Sequence, residues 1–307
     1  MSDLRADPLS PIDAATLWPQ LHRLGTEVIA TRAGENLLLT SGLAATGLTR
    51  LPKVPRTVVL GVKRGLGYRG VLVARELAGG AGWEVVSLRI ARDMDDEAVV
   101  ALLSAAGIEV ARRGGRTLYL RESEGSPHSR AVRRTGLMEY QREHLHALPA
   151  HGAKPATTMF RPAARSDRHG VFRLYCRVVP EPVRRHEAAT QQEWRAVLSS
   201  YDCDREYVVE REGAVVAWVG IGERESRTLY DNAIEGLADA ALDVVESQAG
   251  RHGVLVVGDD QAGLEHSAAA RGYTGLGVRL VCARRLAALN SLKEVVAAPA
   301  PTLPMAP

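Results

Sequence analysis

Lysine is almost missing from this 307-residue chain: it occurs only at 53, 63, 154 and 293, and arginine carries the rest of the positive charge. Asparagine occurs only at 36, 232 and 290, phenylalanine twice and cysteine three times. Cys176, Cys203 and Cys282 are odd in number and far apart. That spacing excludes a zinc motif and a disulfide framework and makes a reduced, cytoplasmic setting the expectation. No run approaches the roughly 18 apolar residues a membrane span needs. The opening MSDLRADPLSPID has no apolar core, so neither a membrane partner nor a secretion signal is expected. Net charge is only +3, with basic residues scattered among acids and few aromatics between them, so no nucleic-acid partner is expected either.

What is present suits a folded enzyme or binding module. Hydrophobic residues make up 46% and charged residues 24%, a composition that can bury a sizeable core. The length accommodates two domains. Three segments break the pattern: the Pro- and Asp-rich start, PAHGAKPATT at 149–158, and the Pro/Ala tail at 297–307. The middle one predicts a linker between a domain at 13–148 and another at 159–290.

The two halves repeat one order of elements. Strands are predicted at 57–63, 71–77 and 83–90, then a helix opened by Asp95 and Asp96 with apolar Val99, Leu102, Leu103, Ala106 and Val110 at helical spacing. A strand at 117–120, a helix ending at Gly136 and a strand at 137–148 follow. In the second half strands fall at 206–210, 215–221 and 227–234, with a helix at 237–248. A strand at 254–257, a helix at 262–270 stopped by Gly272 and a strand at 277–283 complete it. Gly70-Val71-Leu72-Val73-Ala74 answers to Gly213-Ala214-Val215-Val216-Ala217. A repeat this long is a duplicated domain, since solenoid units run about 20–50 residues.

GRTLYLRESEGSPHSRAVRRTGLMEY at 115–140 and GVLVVGDDQAGLEHSAAARGYTG at 253–275 are the telling pieces. Together with the order of elements they resemble the GNAT (GCN5-related N-acetyltransferase) superfamily. The resemblance covers about 57–148 and 160–286 and is carried by architecture more than by motif. It implies an α/β (α+β) fold of two tandem GNAT-like domains, each a mixed, mostly antiparallel sheet flanked by helices. It also implies acyl transfer from acetyl-CoA or another acyl-CoA to a small amine, the acyl-CoA lying in the V between strands 4 and 5 of a domain.

The same resemblance maps the pyrophosphate loop onto 91–96 and onto Ala233, Ile234, Glu235, Gly236 and Leu237. Neither stretch is the family's Q/R-x-x-G-x-G/A. Asp93, Asp95 and Asp96 bring carboxylates to the first, where they favour the helix dipole and repel a pyrophosphate. Glu235 does the same on a smaller scale, so weak or absent acetyl-CoA binding is expected, with any residue of it in the second half. The family's Asn and Tyr positions map onto Ser126 and Arg133 and onto Ala262 and Ala269, none able to serve as the usual acid. Glu122, Asp259 and Asp260, just past the fifth strands, are the candidate bases for an amine. A catalytically inactive GNAT-fold ligand-binding or protein-interaction module is the rival reading. His144 and His146 share a strand face without a third metal ligand in the sequence, and 64–70 reads as a hairpin turn, not as a phosphate loop.

Overall fold

The computed structural model describes residues 4–9, 13, 17, 24, 26–30, 56–64, 67–91, 96–149, 159–250 and 253–287. The tail at 297–307, all of the expected linker beyond Pro149, and residues 92–95 of the acidic loop lie outside them.

The first half opens with β1 (Ala6–Pro8) and β2 (Thr26–Ala30), then a meander of β3 (Thr57–Arg64), β4 (Gly67–Glu76) and β5 (Gly82–Ile90). Gly67 and Tyr68 pair with Arg64 and Lys63 in the β3–β4 ladder, so 67–70 is strand. Helix α1 (Asp96–Arg112) carries Asp96 and Glu97 in its first turn and Arg112 in its last, charges that suit its dipole. Its buried stripe is the one the periodicity predicts: Val99, Leu102, Leu103, Ala106 and Val110. Strand β6 (Thr117–Ser123), helix α2 (Ser129–Arg134) and strand β7 (Met138–Ala147) complete the half.

The second half runs β8 (Arg161–Pro162), α3 (Arg168–Val178), α4 (Glu181–Glu187) and α5 (Gln191–Ser200). Thr190 and Glu193 box the start of α5, the Glu193 amide donating to Thr190 Oγ1 at 3.2 Å and the Thr190 amide to Glu193 Oε2 at 3.1 Å. Strands β9 (Cys203–Arg211), β10 (Ala214–Gly222) and β11 (Glu225–Tyr230) form a second meander. Helix α6 (Leu237–Gln248), strand β12 (Val254–Gly258), helix α7 (Ala262–Ala270) and strand β13 (Thr274–Arg285) close the chain. The third strand of this meander ends at Tyr230, four residues before the sequence pattern suggests, because the Asp231 carboxylate and carbonyl capture the amides of Ala233 (3.1 Å) and Ile234 (3.0 Å) and turn the chain.

All strands form one sheet, ordered β1-β3-β4-β5-β6-β13-β7-β12-β11-β10-β9-β8, with β2 branching onto β5. The last strands are exchanged. β13, from the end of the chain, lies between β6 and β7, and β7 lies against β12. Each half thus lends its final strand to the other's penultimate one. Leu280 and Cys282 of β13 are buried in the first half's core beside Leu118, Leu120 and Val132. The first half does not close its core without the last strand of the second.

Gly136 and Gly272 end α2 and α7 with φ of +82° and +85°, a conformation that a side chain with Cβ rarely adopts. Replacing either with valine is expected to cost about 1–3 kcal/mol in thermal unfolding. Melting within a degree of wild type for both variants would contradict that placement.

Candidate active site

At the joint between the halves, charged side chains are buried on the sheet face that carries α3–α5. Glu143 of β7 accepts from Arg227 Nη1 of β11 at 2.7 Å and from Arg279 Nε of β13 at 2.8 Å. Arg121 of β6 stands 3.5 Å from the same carboxylate and also pairs with Glu84 of β5. Arg279 reaches on to Glu225 at 2.8 and 3.0 Å, and Arg75 joins Glu84 (3.1 Å) to Asp202 (3.1 Å) of the second half. Glu143 is 3% exposed. Its three arginines overcome the effect of burial and hold its pKa well below the usual carboxylate range. The Glu225 carboxyl is likewise held at about 2.

Beside this network a cavity of about 40 Å³ opens under α3–α5, between Tyr175, Glu187, Trp194, Tyr201, Gln141 and Asp260. It has room for a water or a small polar head group. Trp194 stacks on Tyr175 at 4.0 Å, forming an aromatic wall. Glu187, the last residue of α4, is 4% exposed. Tyr201 Oη donates to Glu187 Oε1 at 3.2 Å, and Tyr119 of the first half donates to the Glu187 carbonyl at 2.7 Å. Burial pushes the Glu187 carboxyl up to about 7, against the pull of Tyr175 and Arg121. A carboxyl poised there can exchange a proton at neutral pH.

The cavity backs onto a cleft in the sheet. Strands β11 and β12 pair in parallel only at Glu225, Ser226 and Arg227, and part from Thr228 onward. Asp231 donates back to Val216 of β10, so strand alternation turns the N–H and C=O groups of Thr228 and Tyr230 into the gap. Gln261 Nε2 spans the gap to the Thr228 carbonyl at 2.8 Å. The first half differs. There β5 and β6 pair only from Gly82 to Val85. Beyond that point β2 runs antiparallel along β5, with Thr26 opposite Ile90 and Ala30 opposite Ser87. The chain's own strand occupies the first V. At the start of α1, Asp96 is held by His128 Nδ1 at 3.0 Å and Glu97 by Arg134 at 2.8 Å.

The sequence candidates are scattered among these features. Asp260 lines the cavity, its Oδ1 accepting from Gln141 Nε2 at 3.4 Å, and burial raises its pKa. Asp259 is exposed. Glu122 is buried 2% exposed on the opposite sheet face, near Ser129 and Arg133 of α2, since its neighbour Arg121 takes the α3–α5 side. The structure does not bring Glu122 together with Asp259 and Asp260. Among the loop residues, Ala233 and Ile234 spend their amides on Asp231, which leaves those of Glu235, Gly236 and Leu237. No side chain caps α6, Gly236 is left-handed at φ +80°, and a Cβ there would meet nothing within 4 Å. Arg271 pairs with Asp239 in the first turn at 3.0 Å and offsets its charge. Open amides on an uncapped helix beside an open cleft fit a phosphate group, and exposed Glu235 weakens that fit. Among the described residues no group of three or more His, Cys, Asp or Glu is placed to hold a metal.

Sequence inspection missed Glu187, Tyr201 and Tyr230. The only signal for Glu187 was an acidic residue closing a helix otherwise ended by Arg184, Arg185 and His186.

No protein-family model matches the sequence, and no curated protein matches it. Solved structures do. A GCN5-related N-acetyltransferase from Sphaerobacter thermophilus aligns with TM-score 0.51 at 14% identity, over 93% of this chain and 96% of that one. A candidate acetyltransferase from Pyrococcus horikoshii aligns with TM-score 0.51 at 9% identity, over 94% of this chain and 91% of that one. The fold is that of the GNAT acetyltransferases, present here twice. No helix among the described residues is long and apolar enough to cross a membrane.

Proposed function

We propose that this chain is an acyl-CoA-dependent N-acyltransferase in which the second half acts on a small amine and the first half is its structural partner. One observation carries the reading: of the two clefts, the first is filled by β2 and the second is open, backed by a buried carboxyl with a pKa of about 7. The amides of Glu235, Gly236 and Leu237 would hold the pyrophosphate, and acyl-CoA supplies an activated thioester carbonyl. The amides of Thr228 and Tyr230, aimed into the gap, stabilise charge that develops on that carbonyl oxygen. Glu187 draws a proton from the amine, and the Trp194–Tyr175 wall excludes water and leaves room only for a compact acceptor. Positioning on two faces of one cleft provides much of the rate.

Calorimetric titration tests this. Acetyl-CoA is expected to bind at one site per chain with a dissociation constant of roughly 10–100 µM. Gly236→Glu, which adds a carboxylate and strains a left-handed position, is expected to abolish binding. A titration without heat up to millimolar ligand would instead favour a GNAT-fold module that catalyses nothing.

A further inference from the structure

We infer that a groove along α3, separate from the cleft, is a binding site for a small organic anion, a molecule that carries a phosphate or carboxylate group. The groove lies between the start of α3 and the turn that joins β9 to β10, and its volume is about 390 Å³. Sites for small molecules run from about 300 to 1,000 Å³. Helix α3 sits close on β10 because a glycine makes the contact: a Cβ on Gly170 would stand 2.6 Å from Val215 Cγ2. Gly213 and Ala214 continue this floor without long side chains.

The walls carry the charge. His169, Arg173 and Arg177 follow one another at four-residue steps on one face of α3, and all three line the groove. Such steps set them about 6 Å apart along the helix. Both acids of the groove are already engaged. Asp167, 9% exposed, accepts from Arg161 Nη1 at 2.7 Å, from Arg161 Nη2 at 2.9 Å and from the Ala164 amide at 2.7 Å. Arg161, chiefly, holds its pKa at about 2. Glu210 accepts from the same guanidinium at 2.9 Å. Arg177 is half engaged: its Nε faces Asp231 at 3.0 Å, and Nη2 donates to the Val215 carbonyl at 3.1 Å. Arg173 and His169 are exposed, and among the described residues neither has a hydrogen bond or an ion pair.

An unspent guanidinium one turn from a half-spent one matches a group with two or three anionic oxygens. The surroundings add attraction. Residues 161–200 hold eight arginines and four carboxylates, an excess of four positive charges, whereas the whole chain has a net charge of only +3. A field of that sign concentrates anions at the groove. The groove is not part of the acyl-CoA cleft. Strand β10 pairs along β11 and so stands between the groove and the gap that opens beyond β11. The groove can therefore fill whether or not the cleft holds acyl-CoA.

Calorimetric titration of the full chain with glycerol 3-phosphate tests the site. Wild type is expected to bind one equivalent with a dissociation constant of roughly 0.1–1 mM at low salt, weakening several-fold at about 0.2 M salt. Glycerol is expected not to bind. Malate in a parallel titration separates the two anion classes, the tighter being the one the groove takes. Arg173→Gln, at an exposed position, is expected to weaken binding at least about tenfold and leave the melting temperature unchanged. Arg195→Gln removes an exposed arginine of α5 outside the groove and is expected to leave binding as it is. Coenzyme A at saturation is expected not to displace the anion. Wild type that binds neither anion would overturn the site, as would Arg173→Gln that binds like wild type or an equal loss in Arg195→Gln. Displacement by coenzyme A would place the anion in the cleft and overturn it too. Absence of coenzyme A binding alone would remove the acyltransferase reading and leave this site standing.

Discussion

Replacing Glu143 with alanine is expected to cost about 3–5 kcal/mol of stability, a large share of what a domain of this kind possesses. The charge of Glu143 compensates Arg227, Arg279 and Arg121, which come from three different strands. Removing it leaves buried guanidinium groups facing one another at the joint where the halves exchange β7 and β13. Exposed pairs such as Arg142 with Glu124 contribute little by comparison, and breaking them is expected to change stability by less than about 1 kcal/mol. The native pKa of Glu143 is lowered, so its contribution is present above the unfolded value of 4.5 and is lost as pH falls through the native one. Glu225, held at about 2, behaves the same way. Unfolding by urea at pH 7 and again between pH 4.5 and pH 2 measures both effects. A Glu143→Ala variant as stable as wild type at pH 7 would contradict the account of the joint.

Glu187→Gln is expected to act in the opposite direction on stability while removing activity. Its native pKa of about 7 lies above the unfolded 4.5, so folding favours the protonated form. Stability from this group is complete below about pH 4.5 and is lost as pH rises to 7 and beyond. At pH 8 the ionised carboxylate costs on the order of 2–3 kcal/mol. Glutamine, which mimics the neutral acid, is expected to recover that amount at pH 8 and nothing at pH 4. Turnover is expected to fall by about 10²–10⁴, because glutamine cannot take a proton from the amine. Denaturation curves at the two pH values, set beside rates, check the pair of effects. Destabilisation at pH 8 would show that Glu187 is an ionised structural group and not a poised base.

The fold was largely legible because its signals are local. The 3.6-residue stripe of α1, the Thr190–Glu193 box and the glycines that stop α2 and α7 each follow from a few neighbouring residues. The strand exchange was not legible. β7 and β13 present the same kind of alternating edge, and nothing in either strand states whether its partner is β6 or β12. The site was harder still. Glu84, Arg121, Glu143, Arg227 and Arg279 are spread over nearly 200 residues and meet only because β13 crosses into the first half. Counting back from Gly272 falls on Ala262 and Ala269, at the start and near the end of α7. It could not find Tyr230, whose role depends on where β11 parts from β12. The strand that fills the first cleft, Thr26–Ala30, lies in a stretch whose sequence announced no element at all.

The division of labour between the clefts is tested most directly by amide hydrogen exchange with and without coenzyme A. The account predicts slower exchange over 228–240 and 258–264, around the open V and the start of α6, with 85–91 and 96–100 unchanged. Protection of the first-half amides at 85–91 would mean that β2 yields its place to the ligand, and would contradict the assignment of catalysis to the second half alone.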